Sequence, residues 1–326
     1  MYDVITVGSS TVDVFARTEY HKVIHSKSNK NYVAYPVGAK ILINELNTTV
    51  GGGGTNTAVS LARLGHKVAY LGKLGSFGNA QRVINELKKE KVDTSLIAIS
   101  KNYRTGYSVI LDSLKHDRTI LTYKGSNDDL GFSDVKVSKL KTKWFYFSSM
   151  MGKSFKTLEK IASYAAKNNI KIALNISSYL AEKGIPYLKG LFKRTSILIL
   201  NKEEAQLVVG KSKKETMLRK LNKLGPEIVA ITDGNNGVDI FDGKIFYHGK
   251  TNNIKVVETT GAGDAFASSF LSGIIKKNDI EFAIKLGITN AESVIMHHGA
   301  KNKLLTYNTA LRIMKKRLIK VVKKVL

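Results

Sequence analysis

The 326-residue chain has no cysteine, only three prolines, and half as many acidic residues, 26, as lysines and arginines, 52. Without cysteine there is no disulfide, no thiolate metal site and no cysteine nucleophile. Three prolines leave no Pro-rich linker, and no low-complexity segment or internal repeat divides the chain. Apolar runs stay well short of the ~18 residues that a membrane span needs. The opening "MYDVITVGSS" lacks the basic start and small-residue cleavage site of a secretory signal, and reads as a strand running into a glycine turn. We expect a single cytoplasmic α/β domain spanning residues 1–326.

The shortage of acidic residues leaves a formal net charge of +26. Such a charge favours nucleic acid or anionic membrane. Yet only 9 of the 52 basic residues are arginine, the side chain suited to bidentate phosphate contacts. The lysines are spread along the whole chain, mostly on expected outer helix faces. The charge therefore reads as a general lysine bias, with no dedicated nucleic-acid function and no membrane partner. At the C-terminus, "KKRLIKVVKKVL" places Leu318, Val321, Val322 and Val325 on one helix face. A final helix from about Thr309 to the end, lysines outward, is the expectation.

What the chain does have is a repeating rhythm. From Trp144 onward, short apolar runs ("WFYFSS", "IKIALN", "SILIL", "EIVAIT") alternate with helical segments such as "FKTLEKIASYAAKNN" and "KEEAQLVVG". "DVITVG" near the start is of the same kind, and helices are expected at about 262–276 and 280–296. That pattern means a mostly parallel sheet with helices on both faces. "DVFARTEY", "NYVAYPVG", "KILINELNTTV", "RTGYSVILD" and "DRTILTYKG" instead alternate apolar and polar residues, as half-exposed strands do. They are assigned to a small β lid made of insertions at roughly 14–50 and 104–124. Helices at about 55–64 and 79–90 lie between them.

Two glycine strings stand at expected helix entrances. In "VETTGAGDAFASSF", Thr259 and Thr260 can cap a helix starting near Ala262. The N–H groups of Gly261, Ala262 and Gly263 then converge with the helix dipole behind them, an anion hole. Asp264, one turn in, can take a proton from an attacking hydroxyl, which suits phosphoryl transfer from ATP to an alcohol. In "VGGGGTNTAVSLARLG", Gly51 to Gly54 precede Asn56, whose amide can both donate to and accept from a sugar hydroxyl. No P-loop and no GxGxxG after the first strand is present.

Other candidates carry a structural reading beside the functional one. Asn201 and Glu204 in "LILNKEEAQL" have capping-box spacing, and at a strand end could also hold hydrated Mg²⁺ and ATP phosphates. Thr232, Gly234 and Gly237 in "ITDGNNGVDIFDGK" form a turn that could line a nucleotide. Asp13 could bind substrate hydroxyls or sit on an exposed lid face. His297 and His298 lack a metal-ligand pattern and are read as structural.

In this order the strings resemble the ribokinase-like, or PfkB, carbohydrate kinase family, over nearly the whole chain from "GSSTVD" to "SVIMHHGA". "GGGGTNTAVSLARLG" and "ETTGAGDAF" are highly specific as a pair; "DRTILTYKGSND" and "LNISSYL" look like further family segments. The resemblance implies a doubly wound α/β core with a β lid, ATP as donor, and a homodimer formed through the lids. It makes Asp264 the catalytic base, Gly261 to Gly263 the anion hole, and Asn201 with Glu204 the organisers of Mg²⁺ and phosphates. Asp13, Gly52, Gly53 and Asn56 fall where the family grips its sugar. Asn175, Thr232, Gly234 and Gly237 fall where it contacts ATP, with Thr260 beside the anion hole. The chain departs from the family at Glu258, usually Asp, a position that often helps bind a monovalent cation, so cation dependence does not carry over. It also has Gly53 where ribokinase itself commonly has lysine, and Ile176 where the family has proline. The acceptor is a sugar, a nucleoside or an inositol-like cyclitol; a non-catalytic polyanion binder on a kinase scaffold is the remaining reading.

Overall fold

Short apolar runs build the centre of the molecule in the computed structural model, which describes residues 1–18, 22–25, 31–112, 118–297 and 299–325. The first part of the chain forms β1 (Tyr2–Val7), β2 (Thr11–Arg17), β3 (Lys22–His25), β4 (Asn31–Ala34), β5 (Glu45–Gly51), α1 (Gly53–Arg63), β6 (Val68–Leu71), β7 (Lys73–Gly75), α2 (Gly78–Lys89), β8 (Ala98–Ser100), β9 (Gly106–Asp112) and β10 (Arg118–Tyr123). There follow β11 (Thr142–Phe147), α3 (Gly152–Lys167), β12 (Lys171–Asn175), α4 (Ser178–Ala181), α5 (Gly184–Phe192), β13 (Ile197–Asn201), α6 (Lys202–Val209) and α7 (Lys214–Asn222). The last part forms β14 (Ile228–Thr232), β15 (Val238–Phe241), β16 (Ile245–Gly249), α8 (Ala262–Lys277), α9 (Ile280–Ile295), α10 (Tyr307–Lys316) and β17 (Val321–Val325).

Nine strands make one sheet in the order β17-β16-β15-β14-β13-β12-β11-β1-β6. Neighbours from β6 to β14 are parallel, and β15 to β17 extend the sheet with antiparallel pairs. The middles of the parallel strands are buried on both faces, which is why they read as continuous apolar runs with polar residues mostly at their ends. Alternation then splits one strand between two cores. Phe145 and Phe147 pack with Phe155 and Leu158 of α3, while Trp144 and Tyr146 face Leu61 of α1 and Phe270 of α8. From β1 the chain goes to β6 on one side and later to β11 on the other. The crevice at the carboxyl ends of β1 and β11 is thus a switch point, where doubly wound sheets take their ligands.

A second sheet, in the order β10-β9-β2-β5, stands apart, and among the described residues β3 pairs only with β4. It is built from the segments expected to form a lid, but starts at Thr11, before the expected boundary. Residues 19–21, 26–30 and 113–117 of those segments, and His298, lie outside the described residues.

The C-terminus corrects the sequence reading. The helix ends at Lys316, and Val321–Val325 pairs antiparallel with β16. The spacing of Leu318, Val321, Val322 and Val325 fits a helix face, but β-branched valines suit a pleated edge, and β16 offers unpaired backbone groups there. Alternation along β17 sends Lys323 to Glu281 of α9 (2.8 Å) and Lys324 to Glu215 of α7 (3.2 Å), on opposite faces. The strand β6 was not anticipated, and α1 begins at Gly53 rather than near Thr55.

Candidate active site

The carboxyl ends of the parallel strands carry polar residues that break their apolar runs. Asn175, Asn201 and Thr232 are the last residues of β12, β13 and β14, with Asn201 and Thr232 side by side in register. The Asn175 amide donates to the Ile199 carbonyl (3.0 Å), and the Thr232 hydroxyl to that of Leu200 (3.4 Å). The Asn201 side chain accepts from the Glu204 amide while the Glu204 carboxylate accepts from the Asn201 amide, each at 2.8 Å. This is a reciprocal helix cap for α6. It also holds Glu204, 7% exposed, at the wall of a cavity. That cavity, about 230 Å³, is lined by Asn175, Asn201, Glu204, Thr232, Gly261, Gly263 and Asp264.

The entrance of α8 closes the cavity opposite the strand ends. Gly261 is its N-cap, with a left-handed φ of 79° and Ala300 where a Cβ would stand, at 2.5 Å, so only glycine fits. Two details differ from the sequence reading. The N-cap position falls to Gly261, not to Thr259 or Thr260. The Ala262 N–H is not free but donates to the Thr259 carbonyl (3.2 Å). The N–H groups of Gly261 and Gly263 have no acceptor among the described residues, so two amides, not three, stand open at this entrance. Thr260 lines neither this cavity nor the next.

Asp264 is positioned by the packing of α8 on α1. Asn56 of α1 donates from Nδ2 to Asp264 Oδ2 (2.9 Å) across 208 positions of sequence. One turn further along both helices, the hydroxyls of Ser60 and Ser268 lie 2.7 Å apart. Asn290 of α9 then donates to Ser269 (2.7 Å). This polar seam fixes the register of the helices and hence the carboxylate. Burial pushes the Asp264 carboxyl up to about 6, against the pull of the Asn56 bond and the Lys301 charge. Burial, with the charges of Glu203 and Asp264, pushes Glu204 up to about 7, against the Asn201 backbone bond.

A second cavity, about 290 Å³, adjoins the first through Asn201, Thr232 and Gly263, which line both. Gly234 and Gly237, both with positive φ, turn the chain at its rim, and Phe266, Ile288 and Ile295 supply apolar walls.

The remaining candidates gather on the other side of Asp264. Gly52 has φ 98°, and its missing Cβ would meet the Ser9 carbonyl at 2.6 Å. A Cβ on Gly53 would lie 3.0 Å from Ser148 Cβ and 3.6 Å from Asp264 Oδ1. Asn56 Oδ1 and Asp13 Oδ1 are buried without a hydrogen-bond partner among the described residues, as groups awaiting a polar ligand would be. Burial raises Asp13, with the hydroxyls of Thr11 and Ser108 and the charge of Lys301 pulling the other way. Asp13, Phe15 and Arg17 alternate onto one face of β2. Phe15 and Arg17, with Asn47 and Thr49 of β5 and Asn302 opposite, line a further cavity of about 390 Å³. Glu258 accepts from the Gly299 amide (2.9 Å). His297 donates from Nδ1 to the Ser293 carbonyl (3.2 Å) at its own helix end, consistent with a structural role.

Two contributors escaped the sequence reading. Lys301, buried and paired with Glu86 (2.5 Å), acts electrostatically on both Asp13 and Asp264. Nothing in "GAKNKLL" marks it. Ser148 follows β11 at the switch point, its hydroxyl buried and without a partner among the described residues. Its place at a strand's carboxyl end was a usable signal.

The family model for pfkB family carbohydrate kinase matches residues 2–306, and the chain belongs to that family. An uncharacterised sugar kinase of Archaeoglobus fulgidus is 30% identical over 247 residues, covering 76% of this chain and 98% of that protein. An ATP-dependent 6-phosphofructokinase of Thermoanaerobacterium thermosaccharolyticum is 26% identical, covering 92% and 89%. The structure of a Methanocaldococcus jannaschii nucleoside kinase, an archaeal member of the ribokinase family, superposes with a TM-score of 0.81 at 20% identity, covering 97% and 99%. The protein is a kinase of the ribokinase fold that transfers phosphoryl groups from ATP. Among the described residues no helix is long and apolar enough to cross a membrane.

Proposed function

We propose that the protein phosphorylates a primary hydroxyl of a sugar or sugar-like acceptor, with Asp264 as general base and the Gly261 and Gly263 amides as anion hole. The observation that carries this reading is the Asn56–Asp264 bond beside those unpartnered amides. Asn56 occupies Oδ2 and leaves Oδ1 on the Gly53 side, free to receive a proton. The nucleotide base lies in the 290 Å³ cavity and its phosphates in the 230 Å³ cavity. The γ-phosphoryl then meets the helix entrance, where amides offset charge developing on its oxygens. The acceptor lies between Asp13, Asn56 and the space under β2 and β5. Its oxygen forms the new bond to phosphorus as the bond to the ADP oxygen breaks, and Asp264 takes the proton.

Mg²⁺ fits this site as a hydrated, phosphate-bound ion. Glu204, Asp264 and Asn201 offer hard oxygen atoms around one cavity, while no cluster of three or more acidic or imidazole ligands exists among the described residues to cage a bare ion. When bound, it would neutralise charge on the β- and γ-phosphate oxygens.

Asp264→Asn is expected to lower kcat by about 10²–10⁴ while leaving ATP affinity nearly unchanged. Unchanged turnover in the folded variant rejects the assignment. A thermal-shift panel of pentoses, hexoses, nucleosides and cyclitols with an ATP analogue identifies the acceptor. The polar lining of the 390 Å³ cavity, with Arg17, Glu45, Asn47, Thr48 and Thr49, favours a polyhydroxylated molecule over a purely apolar one.

A further inference from the structure

We propose that Glu292 selects the donor's base, by locking the Asn252 side-chain amide in the one orientation that offers an acceptor to a base amine. The inference rests on reading the 290 Å³ cavity as the nucleotide-base site; both Asn252 and Glu292 line it.

One wall of that cavity is the segment 251–258, which has no regular secondary structure. Two adjacent residues staple it to opposite sides. The Thr251 hydroxyl donates to the Asn235 carbonyl (2.8 Å) at the 234–237 turn. Asn252 donates to Glu292 of α9 three times: its backbone N–H to Oε1 (2.7 Å), and its Nδ2 to Oε1 (3.1 Å) and Oε2 (3.0 Å). Glu292 is 4% exposed, in a helix that turns Ile288 and Ile295 to the same cavity. A carboxylate so placed is costly unless hydrogen-bonded, and Asn252 supplies those bonds.

The chemistry fixes the amide's orientation. An ionised carboxylate only accepts, so the Asn252 NH₂ must face it. The amide oxygen is left over, and no donor among the described residues reaches it. A rigid acceptor lining a slot that is walled in part by Val238, Phe266, Ile288 and Ile295 recognises an exocyclic amine, as adenine carries. Hypoxanthine and guanine carry a carbonyl at the same ring position, which would meet the oxygen lone pair to lone pair. Glu292 never touches the base in this scheme; it is a positioning residue acting through Asn252.

Isothermal titration of the full-length protein with non-hydrolysable analogues of ATP and ITP tests this without knowledge of the acceptor. The wild type is expected to bind the ATP analogue about tenfold tighter, the worth of one good hydrogen bond against one left unpaired. In Glu292→Gln the new amide can donate or accept, so Asn252 can turn over and the preference should fall to about twofold or less. Asn252→Ala, a loop substitution that keeps the test available if Glu292→Gln fails to fold, should lose the preference equally. The double variant should show no further loss. Equal binding of both analogues by the wild type, or a preference that survives in the variants, overturns the inference while leaving the base site standing. Failure of both analogues to bind overturns the inference and the base site together.

Discussion

The two glycine strings look alike in sequence and do opposite things in space. At the entrance of α1, a Cβ on Gly54 would stand 2.7 Å from the Gly8 carbonyl carbon and 2.8 Å from the Tyr70 ring, and one on Gly52 would strike the Ser9–Ser10 backbone at 2.6 Å. These glycines let strand, loop and helix backbones touch. At the entrance of α8, a Cβ on Gly263 would meet nothing within 4 Å. Its glycine is not required by the protein's own packing, and the emptiness faces the cavity. One string is glycine for the sake of the fold; at Gly263, the other leaves open a space that the proposed function gives to a phosphate.

That contrast can be broken by substitution. The largest effect is expected at the open position: Gly263→Val should lower kcat/KM by about 10²–10³ if it displaces a phosphate from one donor. Its thermal stability should stay near wild type, since the new Cβ enters open space. A normal rate in the folded variant would show that the space serves no ligand. At the packed position, Gly54→Ala should destabilise by roughly 1–3 kcal/mol through overpacking, in spite of alanine's better helix propensity. Denaturant unfolding measures it, and a stability gain would place the contrast in error.

The smallest effect sharpens the comparison through pH. With Asp264 near 6, kcat/KM should rise as pH increases through about 6, because only the ionised carboxylate accepts a proton. Stability should move the other way. Carboxyls raised in the folded state contribute stability that is complete below the ordinary carboxylate range and is lost as pH rises through about 6 for Asp264 and 7 for Glu204. Glu204→Gln should therefore unfold at a higher temperature than wild type at pH 8, and at about the same temperature at pH 4. An equal Tm at both pH values would mean that Glu204 is not strained in the fold.

Much of this was legible in the sequence because the signals are local. Apolar runs of strand length give the parallel sheet, and a polar residue ending such a run marks the site's edge, as Asn175, Asn201 and Thr232 do. The capping box of Asn201 and Glu204 lies within four consecutive residues. What stayed hidden depends on distant partners. Lys301 matters only because Glu86 and two carboxylates surround it after folding. The Ala262 amide was counted as free because its acceptor, the Thr259 carbonyl, depends on how the turn closes. The final strand was misread because Val321, Val322 and Val325 suit either period, and only the waiting edge of β16 decides between them.

The bond between Asn56 and Asp264 has a consequence in time as well as in space. Its two ends are 208 positions apart, so a nascent chain displays the first long before the second has been synthesised. Contacts of such separation form late, after intervening loops have closed. Under the proposed chemistry, a growing or half-folded chain cannot split nucleotide, and competence arrives only with the docking of the C-terminal helices.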